Sequence, residues 1–325
     1  MSTAIVVGAG AAGARAARQL HAGGFEVLVA ERRAPRLADV LHALGPGSSA
    51  YDGDPAEATV DVAVLAFGPG DHAPLAARLL RRGVPTVSVA DEPDDVRAML
   101  DLDPEARERG CSVVVGAGFS PGLSCVLAAH AATLLDRVDE IHVARAGTGG
   151  PACAQRHHRA LSGAAADWRD GGWVRRSAGS GRELCWFPDP IGGRDCYRAA
   201  LPEPYLLVQA FPGVGRVTAR LAANRRDRLT APLPMLRRPH ADGGPGAVRV
   251  ELRGARDGEG TTTVVYGSME VPSMATGAVA AVAAQLVVSG AVRRAGAGGL
   301  AELFDPLPIL EALAARGVKA AAFTG

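Results

Sequence analysis

A glycine-rich turn near the start of the chain constrains the fold more than any other feature. Gly8, Gly10 and Gly13 follow a short apolar segment at residues 4–7 and open a segment rich in alanine and arginine with a helical pattern. In such a strand–turn–helix unit, the first glycine permits the tight turn, the second lets the backbone approach a ligand, and the third lets helix and strand pack closely. The turn therefore predicts a doubly wound α/β domain in which a helix N-terminus faces a phosphate.

The first third of the chain alternates between apolar and helical patterns. Predicted strands at 25–30, 60–67, 84–90 and 111–115 are separated by helical segments such as 75–82 and 104–109. The nearly unbroken apolar run at 60–67 is typical of a strand buried on both faces of a parallel sheet. This alternation predicts a Rossmann domain with a parallel sheet and right-handed crossovers.

The pattern changes after residue 135. Segments rich in β-branched and aromatic residues predict the strands of a mixed sheet, at 141–144, 184–187, 206–210, 248–252 and 261–266. Residues 224–247, rich in Arg, Pro and Gly, are expected to form a long loop, and helical patterns return at 279–289 and 308–316. We therefore expect a Rossmann domain at 1–121, an α+β substrate domain at 122–275, and C-terminal helices at 276–325 that pack back on the Rossmann domain.

Composition excludes several functional classes. The net charge is +1 and the arginine pairs have almost no aromatic residues among them, so a nucleic-acid partner is not expected. Lys319 is the single lysine, which excludes a catalytic lysine in the middle of the chain.

Five cysteines without CxxC spacing favour reduced thiols over zinc or a disulfide framework, and no metal is expected. No signal peptide is recognised and the apolar run 275–288 is too short to span a bilayer, so we expect a cytoplasmic protein without a membrane partner. The expected partner is a small-molecule substrate.

The residues after the second strand bear on which dinucleotide binds. Glu31 ends that strand and can hydrogen-bond the adenosine ribose hydroxyls, which favours NAD. Arg32 and Arg33 follow directly and can instead hold a 2′-phosphate, which favours NADP. The expected cofactor is therefore NAD or NADP, and Glu31 tilts the choice to NAD.

FAD is an alternative cofactor, because the glycine turn and the Val27–Arg33 region also resemble the opening of many flavoproteins. The chain lacks the late Gly-Asp motif of such proteins, and a second βαβ unit ending at residues 66–70 follows instead. This loop is the one that passes under the adenine-ribose and nicotinamide side in nicotinamide enzymes, so the sequence favours a nicotinamide dinucleotide.

The segment GAGFSPGLS at 116–124 ends one strand and opens the next helix. With the strand at 84–91, the stretches at 170–173 and 186–192, and the tail at 303–318, it resembles the saccharopine dehydrogenase-like family of reductases. The resemblance runs in patches through nearly the whole chain. It implies a Rossmann domain joined to an α/β substrate domain, with NAD(P)-dependent hydride transfer to or from the C=N bond of an imine or secondary amine. Substrates of known members are amino-acid- or polyamine-like.

The chain departs from this family at three positions. Ser120 stands where the saccharopine-forming members have aspartate, Asp91 stands where they have tyrosine, and residues 145–150 lack their cysteine-containing stretch. The resemblance therefore supports the fold and the reaction class but not the substrate. A catalytically inactive NAD(P)-binding sensor or scaffold remains an alternative function.

Four residues are candidate catalytic groups: Asp91, Ser120, His157 and His158. Arg156 and Arg159 are candidates for binding a substrate carboxylate. The alternatives are helix N-caps for Asp91 and Ser120 and an exposed polar turn for the two histidines. We expect these groups in a cleft between the Rossmann domain and residues 122–275, and by analogy a homodimer. The expected cofactor-binding residues are Gly8, Gly10, Ala11, Ala12, Gly13, Glu31, Arg32, Arg33, Phe67, Gly68, Pro69, Ala90, Gly118 and Phe119.

Overall fold

The computed structural model describes residues 1–68, 70–235, 239–241, 243–256, 258 and 260–323. Its strands are β1 (Thr3–Val7), β2 (Glu26–Ala30), β3 (Ser48–Ala50), β4 (Val62–Leu65), β5 (Thr86–Ser88), β6 (Ser112–Val114), β7 (Arg137–Ala146), β8 (Ala164–Arg169), β9 (Gly172–Ser177), β10 (Glu183–Trp186), β11 (Gly193–Arg198), β12 (Arg216–Ala222), β13 (Gly246–Ala255), β14 (Thr261–Glu270), β15 (Gly296–Gly298) and β16 (Ala320–Ala322).

Helices connect and flank these strands. They are α1 (Ala11–Ala22), α2 (Ala34–Leu44), α3 (His72–Arg81), α4 (Pro93–Leu100), α5 (Asp103–Glu108), α6 (Leu123–Ala132), α7 (Pro151–Ala160), α8 (Glu203–Ala210), α9 (Arg225–Thr230), α10 (Pro272–Val288), α11 (Leu300–Leu303) and α12 (Pro306–Ala314), with a 3₁₀ helix at Pro55–Glu57. Within the ranges given above, no helix is both long and apolar enough to cross a membrane.

The chain divides into two compact units, and the first is the Rossmann unit. It contains Met1–Gly122 and Ser273–Phe304. Its sheet has the order β15-β6-β5-β4-β1-β2-β3, and every pairing between neighbouring strands is parallel. All four residues of β4 are buried, as expected for a strand covered on both faces. The predicted doubly wound parallel sheet is confirmed.

The second unit contains Leu123–Pro272 and the residues from Asp305 onward. Its main sheet has the order β10-β11-β12-β7-β13-β14-β16, and the hairpin of β8 and β9 joins it through β12. Strands β7 and β12 are parallel, whereas β13 and β14 continue the sheet in antiparallel pairs. The sheet is therefore mixed, as predicted for this region.

The C-terminal region divides differently from the predicted segment 276–325. Helix α10 packs closely on α1, because a Cβ atom at Gly277 would lie 2.6 Å from the Ala12 carbonyl oxygen, and β15 pairs with β6 in the first sheet. From Asp305 onward the chain belongs to the second unit, where β16 pairs with β14. A single C-terminal segment on the Rossmann domain is therefore wrong for α12 and β16. The reason is strand pairing between positions far apart in sequence.

Two predicted elements also differ from the structure. Residues 206–210 were expected to form a strand but lie in α8, whose N-cap residue is Pro202 and whose first turn contains Pro204. Proline is well accommodated there, and a short apolar run does not distinguish strand from helix. The expected loop at 224–247 contains α9, whose capping box joins Asn224 and Asp227. Parts of that segment, 236–238 and 242, lie outside the described residues.

Candidate functional site

The strand order of the first sheet reverses between β1 and β4, so the loops that follow these strands diverge at their carboxyl ends. Ligands of doubly wound folds bind in the crevice at such a switch point. Backbone hydrogen bonds join the end of β1 to the ends of both neighbouring strands. The Gly8 N–H donates to the Ala30 carbonyl at the end of β2 at 2.8 Å, and the Ala66 N–H, just after β4, donates to the Val7 carbonyl at 2.8 Å. The glycine turn therefore lies where the fold provides a binding site.

The three glycines of the turn have different surroundings. Gly8 has a φ of +97°, and a Cβ atom there would lie 2.8 Å from the backbone of Ala66. A Cβ atom at Gly13 would lie 1.8 Å from the Gly8 carbonyl oxygen. A Cβ atom at Gly10 would meet no described atom within 4 Å. Gly8 and Gly13 are thus required by packing, whereas Gly10 adjoins open space that a ligand can fill.

Helix α1 begins directly after Gly10, its N-cap residue. Among the described residues, no side chain caps this end, and its first turn contains no acidic residue. Ala11 is exposed and Ala12 is partly exposed. Uncapped N–H groups and the helix dipole favour an anion at this position, and the free space at Gly10 admits a pyrophosphate. The turn therefore fits the phosphates of a dinucleotide.

Glu31 lies against the glycine turn. One carboxylate oxygen accepts a hydrogen bond from the Ala9 N–H at 2.8 Å, and the other accepts one from the Arg33 N–H at 2.9 Å. Burial would raise the pKa of Glu31, but the Ala9 and Arg33 hydrogen bonds and the charges of Arg36 and Arg33 lower it below its usual value. Glu31 is therefore a carboxylate at neutral pH, able to accept hydrogen bonds from ribose hydroxyls.

Exposed arginines surround Glu31. Arg32, Arg33 and Arg36 are all exposed, and α2 begins just after Arg33 without a side-chain cap among the described residues. Arg36 was not a candidate in the sequence, because its proximity to Glu31 depends on the turn into α2. Since Glu31 suits a ribose hydroxyl and the arginines suit a 2′-phosphate, this end of the site fits either NAD or NADP.

A buried histidine that the sequence did not single out lies behind the loop after β4. His72 is 1% exposed; its Nδ1 atom lies 2.9 Å from the Ser88 hydroxyl, and its Nε2 atom lies 3.4 Å from the Phe67 carbonyl oxygen. The Phe67 and His72 rings stack with centroids 4.0 Å apart. Burial lowers the pKa of His72, against the opposing effects of Asp95, the Phe67 and Gly68 backbone and Asp91. The sequence signal that could have identified His72 is its position, as a polar residue soon after the predicted buried strand at 60–67.

Asp91 and Ser120 follow neighbouring strands of the first sheet. Asp91 precedes Glu92, the N-cap residue of α4, so Asp91 does not occupy the N-cap position. Ser120 is buried, and α6 begins three residues after it at Leu123, so Ser120 is not at an N-cap position either. The N-cap alternative is therefore wrong for both residues. Because β5 and β6 are adjacent and parallel, their following loops lie at the same edge of the sheet.

The residues around Ser120 form a tight loop. The Gly118 N–H donates to the Pro121 carbonyl at 2.8 Å, and the Phe119 N–H donates to the Thr276 hydroxyl at 3.1 Å. The Phe119 side chain is buried. These two N–H groups are therefore engaged within the protein, so a contact of Gly118 or Phe119 with the cofactor would have to use other atoms.

The predicted residues of the second unit lie on helix α7, not in a polar turn. Arg156 is 2% exposed and donates from Nη2 to the Ala200 carbonyl, whereas Arg159 is exposed. His157 Nε2 lies 3.2 Å from the Ala222 carbonyl, and His158 Nε2 lies 2.9 Å from the Leu233 carbonyl. Arg156 thus hydrogen-bonds within the second unit, whereas the side chain of Arg159 is accessible to solvent.

His157 does not have the pKa expected for a proton shuttle near neutral pH. Burial, followed by the positive charge of Arg145, lowers the pKa of His157 to about 3. Its imidazole is therefore neutral at physiological pH and is not a source of protons there.

The structure thus brings together one group of predicted residues at the carboxyl edge of the first sheet. The glycine turn, Glu31, Phe67, Gly68 and Ala90 belong to it, and Ala90 N–H donates to the Ser88 hydroxyl at 3.1 Å. Pro69, another predicted cofactor-binding residue, lies outside the described residues. Across the described ranges, no cluster of His, Cys, Asp and Glu side chains has the arrangement of a metal site.

Comparisons with known proteins indicate the kind of fold. Residues 3–92 match the model of a family described as NADP oxidoreductase, coenzyme F420-dependent. No curated protein sequence matches the chain. Solved structures with the same fold include apo saccharopine dehydrogenase (L-Glu forming) from Saccharomyces cerevisiae, with a TM-score of 0.69, 14% identity and coverage of 100% of both chains.

Two further solved structures are similar over almost their whole length. A probable dehydrogenase from Thermotoga maritima has a TM-score of 0.50 and 11% identity, with 98% of each chain covered. A levoglucosan dehydrogenase in complex with NADH has a TM-score of 0.50 and 10% identity, with 99% of each chain covered. The protein therefore has an NAD(P)-binding oxidoreductase fold, and the resemblance to saccharopine dehydrogenase that its motifs indicate is confirmed in the fold of the whole chain.

Proposed function

We propose that the protein is an NAD(P)-dependent oxidoreductase that acts on the imine, secondary amine or related carbonyl group of an amino-acid- or polyamine-like substrate. The observation that carries the proposal is the glycine turn at the switch point, where open space at Gly10 adjoins an uncapped helix N-terminus. The full-length similarity in fold to saccharopine dehydrogenase supports the C–N reaction class. Two motifs carry the resemblance: the motif at 84–91 contains β5, and the motif at 116–124 follows the adjacent parallel strand β6.

Each part of the cofactor would be held by a separate group of residues. The N–H groups at the start of α1 would bind the pyrophosphate, and Glu31 would accept hydrogen bonds from the adenosine ribose. Phe67, Gly68 and Ala90 would line the nicotinamide half. When bound, the nicotinamide supplies hydride-transfer chemistry.

The candidates for the substrate are Asp91, Ser120 and Arg159. Asp91 would orient the substrate or move a proton at its carboxylate, and Ser120 would offer a hydroxyl group at the same edge of the sheet. Arg159, an exposed cation on α7, would attract a carboxylate. His158 remains a candidate proton donor, whereas the lowered pKa of His157 and the buried contact of Arg156 disfavour direct roles for these two.

Calorimetric titration of the purified protein with NADH and with NADPH, together with a visible spectrum, tests the cofactor. We expect a colourless protein that binds one of the two nucleotides with micromolar affinity. That result would justify screening amine and oxo-acid pairs for cofactor oxidation. A flavin spectrum would favour the FAD alternative, and absence of binding to both nucleotides would refute the proposed reaction class. Binding without turnover of any pair would favour a sensor or scaffold.

Glu31→Ala is expected to shift nucleotide preference toward NADPH. The change removes the acceptor for two ribose hydroxyl groups and the negative charge beside Arg33 and Arg36, so the Kd for NADH should rise about tenfold while the Kd for NADPH falls or stays constant. Titrations with both nucleotides measure the ratio. Glu26→Ala, at the exposed start of the same strand, is the control. An unchanged ratio in Glu31→Ala would mean that Glu31 does not contact the ribose.

A further inference from the structure

Ser88 joins three adjacent strand ends of the first unit. Its carbonyl oxygen accepts the Ala117 N–H at 2.7 Å, and its hydroxyl oxygen accepts the Ala90 N–H at 3.1 Å. The same hydroxyl lies 2.9 Å from His72 Nδ1, at the start of α3. Ser88 itself is fully buried. His72 and Ser88 therefore connect the loops after β4, β5 and β6 inside the protein.

The hydrogen bonds determine which nitrogen of His72 carries the proton. The Phe67 carbonyl oxygen can only accept a hydrogen bond, so His72 Nε2 carries the hydrogen, and the Ser88 hydroxyl can donate to Nδ1 while it accepts the Ala90 N–H. Burial lowers the pKa of His72, so the ring is neutral and its proton lies on Nε2. Nε2–H then donates to the Phe67 carbonyl at 3.4 Å, while the imidazole stacks under the Phe67 ring.

A second buried group fixes the start of α3. Asp95, on α4, accepts a hydrogen bond from the Ala73 N–H at 2.9 Å and is 9% exposed. This carboxylate caps α3 from another helix, because Asp71, the N-cap residue of α3, makes no side-chain cap. The position of His72 is therefore set on two sides, by Ser88 and by the Asp95 contact to the next residue.

The place of Phe67 in the sheet indicates which half of a dinucleotide it would meet. The adenosine ribose is assigned to Glu31, at the end of β2, and the pyrophosphate to the turn after β1. A dinucleotide extends across the switch point, from β2 toward β4 and β5 in the sheet order β5-β4-β1-β2. The loop after β4 would therefore meet the nicotinamide half of the dinucleotide, on the side opposite the adenosine. Phe67 also adjoins the turn directly, since a Cβ atom at Gly8 would lie 2.8 Å from the Phe67 Cα atom.

We propose that His72 is a positioning residue that holds Phe67 and Gly68 in the conformation that receives the nicotinamide half of the cofactor. The inference rests on the proposed cofactor role of this unit. His72 acts from behind the loop, through its ring stack and its hydrogen bond to the Phe67 carbonyl, and Ser88 orients the imidazole. Its removal should weaken binding of the nicotinamide half and leave the adenosine and pyrophosphate contacts intact.

The test compares two amide substitutions of different length. In His72→Gln the amide reaches the position of Nε2 and can donate to the Phe67 carbonyl, whereas in His72→Asn it reaches only the position of Nδ1. His72→Phe keeps the ring stack and loses both hydrogen bonds. We expect the NADH Kd (or the NADPH Kd, if the wild-type protein prefers NADPH) to rise about tenfold in His72→Asn and His72→Phe, and to stay within about threefold of wild type in His72→Gln.

Titration with ADP separates positioning from general destabilisation. ADP carries the adenosine and pyrophosphate groups and lacks the nicotinamide half, so its Kd should change less than about twofold in all three variants. His130→Asn, in the second unit, is the control for replacing a histidine that contacts an aromatic ring. Circular dichroism and thermal unfolding show which variants are folded, and if His72→Phe does not fold, the Gln and Asn pair decides.

The outcomes distinguish the two proposals. Parallel loss of ADP and NADH binding, equal effects of Gln and Asn, or no effect of any variant would overturn the role of His72 and leave the cofactor assignment standing. Wild-type protein that binds neither NADH nor NADPH would overturn the cofactor assignment and the role of His72 with it.

Discussion

Gly10→Val should abolish binding of NADH and NADPH while the protein remains folded. The residue has a φ of −68° and a ψ of −177°, which a valine can adopt, and its Cβ atom would point into open space. The added side chain would occupy the position from which a pyrophosphate reaches the N–H groups of α1. We expect the Kd of both nucleotides to rise at least a hundredfold, about 3 kcal/mol of binding free energy, measured by calorimetry.

Gly13→Ala is the matched comparison within the same turn. Its Cβ atom would lie 1.8 Å from the Gly8 carbonyl oxygen, so the helix must move away from the strand. We expect a loss of stability of at least about 1–3 kcal/mol, detected by denaturant unfolding, which the Gly10 variant should not show. Normal nucleotide binding by Gly10→Val would show that this turn is not the pyrophosphate site.

Acidification from pH 7 to pH 5 should destabilise the protein in part through His157. The pKa of His157 is lowered from 6.5 to about 3 by burial and by the charge of Arg145. Below pH 6.5 the unfolded chain takes up a proton at this residue and the folded protein does not, so the free energy of unfolding falls as the pH decreases. At about 1.4 kcal/mol per pH unit, and with screening at this partly exposed side chain, the loss by pH 5 should be about 1–2 kcal/mol.

His157→Gln isolates this contribution, because glutamine does not titrate and can still donate to the Ala222 carbonyl. Urea unfolding at pH 7, 6 and 5 should give a flatter dependence of stability on pH for this variant than for the wild-type protein. The lowered pKa values of His72 and His142 act in the same direction and remain in the variant. His158→Gln, at the next position of α7, is the control. Identical slopes for His157→Gln and wild type would contradict the lowered pKa.

Local sequence predicted the parts of the site that depend on neighbouring residues. The turn from Gly8 to Gly13 lies within one strand–turn–helix unit, and Glu31 directly follows the next strand, β2. These features follow from backbone conformations that a few adjacent residues impose.

Candidate residues chosen one at a time for their side-chain chemistry were predicted less well, because other helices and strands form the surroundings of these side chains. His157 was a candidate catalytic group and Arg156 a candidate for binding a carboxylate, but α7 places their side chains against the carbonyls of Ala222 and Ala200. The strand β12 was not predicted. Its alternation of Arg and apolar residues reflects pairing with β7 and β11, which the structure places beside it. Burial and charge at these positions depend on pairing across long stretches of sequence.

The sequence by itself determined the parallel sheet, the position of the glycine turn and the acidic residue that faces it, because spacing along the chain encodes each of them. Tertiary structure alone decided that His72 lies behind Phe67, that Asp95 caps α3, and that the chain beyond Phe304 leaves the first unit for the second. Each of these depends on hydrogen bonds, ring stacking or strand pairing between separate elements of the fold. Such contacts arise only when folding brings distant residues together, so no local spacing records them.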